Sequence, residues 1–106
     1  AKKVKAVFKT DTFLTNQYIP KQVKRIAFTP GKGSSFVRSV RSFKADVFIT
    51  GEVGYHDSTS AARSEMNVIE LGHRESELYF LKTLHLWFKE WQLPHHVLDE
   101  RTQQFY

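Results

Sequence analysis

The sequence predicts an α/β fold: one mostly parallel sheet with helices on both faces. Two observations carry that expectation. Short hydrophobic runs alternate with stretches of helical spacing in the order β–loop–β–α–β–α–β–α. That order implies right-handed crossovers between parallel strands. Polar residues also gather where two of the runs end, after Asp46-Val47-Phe48-Ile49 and after Asn67-Val68-Ile69. Open α/β sheets build their sites at such strand ends.

Residues 1–9 alternate, with Val4, Ala6 and Phe8 on one side and Lys3, Lys5, Val7 and Lys9 on the other, which reads as a half-exposed strand. Asp11 to Gln22 has no clear period and holds Pro20, so a loop or irregular edge is expected. Val23–Thr29 reads as a strand, and its apolar end Ile26-Ala27-Phe28 suggests burial on both faces. Pro30-Gly31-Lys32-Gly33 breaks it, and a helix opens at Ser34 or Ser35 with Phe36, Val37, Val40 and Phe43 as its apolar face. Ala45–Thr50 is the next strand. A helix over Tyr55–Ser64 packs through Ala61 and Ala62, and Asn67–Leu71 is the fourth strand. Glu75–Trp91 is the longest helix, with a stripe of Leu78, Leu81, Leu84, Phe88 and Trp91 widened by Phe80 and Trp87. Pro94 ends it. The segment from Val97 to Tyr106 is read as a final edge strand.

At 106 residues the chain amounts to a single α/β domain, and a hydrophobic share of 41% is enough for a packed core. The chain has no cysteine, which excludes disulfides, thiolate zinc sites and cysteine nucleophiles and fits an intracellular, cytoplasmic protein. No apolar run reaches membrane-spanning length, and Ala1-Lys2-Lys3-Val4 is not followed by the apolar stretch of a signal peptide. The net charge of +5 admits nucleic acid or another polyanion as partner. The basic residues are spread along the chain, however, as solvated surface charge would be.

Gly31-x-Gly33-Ser34-Ser35 follows a strand and opens a helix, so Gly31, Gly33, Ser34 and Ser35 are candidates to hold an anion or substrate. It lacks the third glycine of a dinucleotide fingerprint and the Gly-Lys-Ser/Thr of a P-loop, and a plain strand-to-helix turn is the competing reading. His73 and Glu77 are four apart at a helix start, so their side chains share one face. Imidazole nitrogen and carboxylate oxygen together suit zinc, manganese or iron, although a capping histidine and a glutamate at the positive helix end give the same pattern. Glu52 and His56 follow the neighbouring strand end and could converge with them as base, acid or ligand, although each alone also reads as a hydrogen-bonded turn residue. Asp57-Ser58-Thr59-Ser60 lacks the glycine-flanked serine of a nucleophile elbow and reads as a polar helix start. His95 and His96 follow Pro94 in a loop, His85 sits mid-helix, and none of the three is assigned a ligand role.

These motifs come in the order and spacing of a known family. Gly31-x-Gly33-Ser34-Ser35, Ala45-Asp46-Val47-Phe48-Ile49-Thr50-Gly51-Glu52, His56 and Gly72-His73-x-x-Ser76-Glu77 resemble the dinuclear-metal-centre proteins, the GTP cyclohydrolase 1 type 2 homologues or NGG-one-interacting-factor-like proteins. The likeness is strongest over residues 23–91. It implies one half of a two-lobed fold, with this chain as the C-terminal half. It implies that His73 and Glu77 are metal ligands and that two divalent ions occupy each complete site. The family's other ligands, a histidine pair and an aspartate, belong to the N-terminal half and have no counterpart here. Members form ring-shaped hexamers, so a homo-oligomer or the missing half is the expected partner. The implied function is a metal-dependent hydrolase of unknown substrate, with Glu52 and His56 as orienting or proton-transfer groups. A non-enzymatic reading stands beside it: an anion-, nucleotide- or nucleic-acid-binding protein, or an oligomeric scaffold using Trp87 and Trp91 as an interface.

Overall fold

The computed structural model describes residues 1–98. The elements in order are α1 (Lys2–Phe8), β1 (Leu14–Thr15), β2 (Ile26–Lys32), a 3-10 turn (Ser34–Phe36), α2 (Val37–Ser42), β3 (Val47–Glu52), α3 (Tyr55–Arg63), β4 (Asn67–Glu70) and α4 (His73–Glu90). The strands form one sheet in the order β1-β4-β3-β2. β2, β3 and β4 are parallel, and the short β1 joins β4 antiparallel. The expected class, α/β with a mostly parallel sheet covered on both faces, is the one observed.

Alternation along β3 sends its side chains to opposite faces. Phe48 joins Val37, Val40, Ala61, Met66 and Val68 in a core under α2 and α3. Val47 and Ile49 join Ile69 and Leu71 in a second core, against which Val4, Phe8 and Phe13 pack. On that second face, Phe28 and Phe8 both meet the ring of Tyr79 on α4.

Residues 2–8 form a helix, not a strand. Val4 and Phe8 are four apart, which places both on one helical side, and both reach the second core. Ala6, which strand alternation would have turned inward, is exposed. The second strand is also displaced, to Ile26–Lys32. The amides of Lys24 and Arg25 donate to Asp46 Oδ2 at 2.7 and 2.8 Å, so they serve a side chain, not a ladder. Pro30 lies inside the strand because β2 is an edge, where a missing N–H costs little. The register shifts between Thr29 and Lys32, a bulge centred on Pro30 and Gly31. Burial of β2 on both faces fails for the same reason, and Ile26 and Phe28 are exposed.

In the first crossover helix Val37 and Val40 are buried while Phe36 and Phe43 are exposed, so its apolar face is narrower than its spacing suggested. Helices α2, α3 and α4 end alike. Lys44, Glu65 and Gln92 take the left-handed conformation, and paired backbone bonds close each end. In α4 these run from Gln92 N–H to Lys89 O and from Leu93 N–H to Phe88 O, the Schellman arrangement. Val97 and Leu98 have no regular structure, and the rest of the expected edge strand, residues 99–106, lies outside the described residues. No helix among the described residues is long and apolar enough to cross a membrane.

Candidate metal centre

The parallel strands β2, β3 and β4 end on one edge of the sheet, and α4 begins there. Gly72 precedes α4, and His73 is its first residue. One turn later Glu77 Oε1 stands 3.0 Å from His73 Nε2. On the other side of the ring, Glu52 Oε1 at the end of β3 stands 3.0 Å from His73 Nδ1. All three side chains are about half exposed. The hydrogen bond to Glu52, then the charge of Glu77, raises the pKa of His73.

The backbone around the cluster is tightly built. Gly31 has φ +69° and lies under the pair: a Cβ there would come 3.1 Å from Glu77 Oε1 and 3.5 Å from the His73 ring. Gly31 N–H donates to Ser76 Oγ at 2.8 Å, and that hydroxyl donates to His73 O at 2.8 Å. Gly51 has no room for a side chain, because a Cβ would run into Gly31 O and Ser76 Oγ. The bulge in β2, the end of β3 and the start of α4 are thus tied together at one point.

Donor atoms 3.0 Å apart can both reach one ion at bond lengths of about 2.0–2.2 Å. A carboxylate on the far ring nitrogen is the usual partner of a metal-binding histidine, because it fixes the tautomer and ring direction. His73 and Glu77 therefore fit a divalent ion, with Glu52 behind the ring. Among the described residues no group of three or more His, Asp or Glu side chains is arranged to hold a metal. The described chain thus offers two candidate donors on one side.

The other sequence candidates fall elsewhere. His56 is exposed on the first turn of α3 with its ring against Tyr55, and no hydrogen bond or ion pair joins it to Glu52, His73 or Glu77. Gly31 and Gly33 are buried, and Gly33 faces Thr50. Ser34 Oγ accepts Gly54 N–H at 2.8 Å, which commits it to the turn before α3, while Ser35 is exposed. Ser76 and Thr50 stand in the sequence motifs without a role that the sequence could assign. Ser76 is the one fully buried residue of α4, and a small polar residue on the sheet-facing side of an apolar helix was the available signal.

This is an α/β protein with a histidine–carboxylate cluster at the carboxyl edge of a parallel sheet. The model of the family Duf34/NIF3 (NGG1p interacting factor 3) matches residues 1–104, and the chain belongs to that family. It is 39% identical over 64 residues to a GTP cyclohydrolase 1 type 2 homolog of Campylobacter jejuni, covering 60% of this chain and 25% of the relative. It is 41% identical over 63 residues to the human NIF3-like protein 1, covering 59% of this chain and 16% of that one. Among solved structures, TTHA1606 from Thermus thermophilus superposes with TM-score 0.72 at 25% identity, over 93% of this chain and 40% of that one. The protein ybgI, described as of unknown function, gives TM-score 0.71 at 31% identity, over 85% of this chain and 36% of its own. The chain thus spans well under half the length of these relatives.

Proposed function

We propose that this chain supplies His73 and Glu77 to a dinuclear divalent-metal centre of a hydrolase like those the family resemblance implies. The ions would be zinc, manganese or iron. One observation carries the reading: His73 Nε2 and Glu77 Oε1 face each other at 3.0 Å while Glu52 holds Nδ1. A divalent ion bound there would supply Lewis acidity and make water a competent nucleophile near neutral pH. His73 binds through Nε2, Glu77 adds a hard anionic oxygen, and Glu52 acts as a positioning residue by holding the Nδ1 proton. Gly31 keeps the space beside the pair free of a side chain.

The missing ligands are to come from outside the described residues, from an N-terminal half or from a second copy in a homo-oligomer. The apolar surface of α4 supports assembly, since Phe80, Trp87 and Trp91 stay exposed. The test is metal analysis of the purified protein beside hydrolysis of phosphate-ester, amide and nucleotide probes. Replacing His73→Ala together with Glu77→Ala should remove most bound metal and any metal-dependent hydrolysis. Unchanged metal content in that variant would sink the ligand assignment.

A further inference from the structure

We propose that His85 and His95 form a second, separate site for a divalent transition ion that prefers imidazole, of the zinc, nickel or copper class. His85 Nδ1 and His95 Nε2 face each other at 2.7 Å. The other nitrogen of His95, Nδ1, lies 2.8 Å from Leu93 O. A carbonyl oxygen can only accept, so Nδ1 carries the proton and the Nε2 of neutral His95 presents a lone pair to His85. This is the arrangement of a metal-binding histidine whose second nitrogen donates to backbone. Two bonds of about 2.0–2.1 Å to one ion span the gap once the rings part slightly.

The pair is also held in place. The left-handed turn at Gln92 and the bond from Leu93 N–H to Phe88 O send the chain back along α4. The His95 ring then packs edge-on against Phe88, with centroids 5.4 Å apart. Both histidines are exposed, so water can complete the shell. His85 lies twelve residues beyond His73 on the same helix, about 18 Å along its axis. One ion cannot serve both sites.

Zinc is to be titrated into protein carrying His73→Ala and Glu77→Ala, followed by calorimetry and by NMR of the histidine rings. One equivalent should bind, and the ring signals of His85 and His95 should shift together. His85→Gln or His95→Gln should weaken binding at least tenfold, while His96→Ala should leave it unchanged. Should the double variant fail to fold, the same ring signals resolve the two sites in the unaltered protein. Zinc that leaves the His85 and His95 signals in place, or binds His85→Gln as tightly as the parent, overturns the proposal.

Discussion

The two faces of the sheet are closed by different means. Under α2 and α3, Phe48, Ala61, Met66 and Val68 are almost wholly shielded in an apolar cluster. Under α1 and α4 the strand residues are buried, but the helices are not. α1 buries no residue, and α4 fully buries only Ser76. Length explains part of this. Eighteen helical residues span about 27 Å, while the six-residue β3 spans about 20 Å. α4 starts at the carboxyl edge and outruns the sheet, leaving Trp87 and Trp91 beyond it. The second face leans more on polar pins. Asn67 Nδ2 reaches Thr15 Oγ1, Asn16 Oδ1 and Tyr18 O at 2.7, 3.0 and 2.7 Å, which ties the 11–22 segment to β4.

If the contrast is right, Phe48→Ala should cost about 3–5 kcal/mol in chemical denaturation. Phe28→Ala, at an exposed edge, should cost well under half of that. Equal losses would erase the distinction. Asn67→Ala should cost about 1–3 kcal/mol by leaving acceptors without their donor, and proteolysis should then cut within residues 11–22 before the α2/α3 side is touched.

Smaller effects should ignore the contrast, because their causes are local. Glu65→Gly and Gln92→Gly each relieve a left-handed side chain and should stabilise by about 0.5–1 kcal/mol, alike on the sealed and the open side. Asp46 gives the smallest effect. The amides of Arg25 and then Lys24 hold its pKa below the ordinary 3.8. Its contribution is complete above 3.8 and is lost as pH falls through that value to the folded one. Asp46→Asn should therefore flatten stability against pH in that acid range, as read by thermal melts.

The parallel core was legible because β3 and β4 are buried on both faces and read as unbroken apolar runs. The pair His73–Glu77 was legible because four-residue spacing on a helix fixes proximity. Glu52 was only a candidate, since its contact with His73 depends on strand register. His56 was only a candidate too, since four-residue spacing from Glu52 fixes proximity only within one helix, and Glu52 lies in β3 while His56 lies in α3. The N-terminal segment misled because Val4 and Phe8 satisfy both a period of two and a spacing of four. The His85–His95 contact was hidden by the turn at Gln92, where no glycine signalled the reversal.

Ser76 has a consequence for motion. Its hydroxyl accepts the Gly31 amide while donating to the His73 carbonyl within α4, so α4 cannot lift from the bulge of β2 without breaking the bond from Gly31. The cluster and the helix start should open as one cooperative unit. The Gly31 amide reports that event directly: its hydrogen exchange with solvent should be slow for an edge-strand residue, and Ser76→Ala should speed it while leaving the amides of β4 protected.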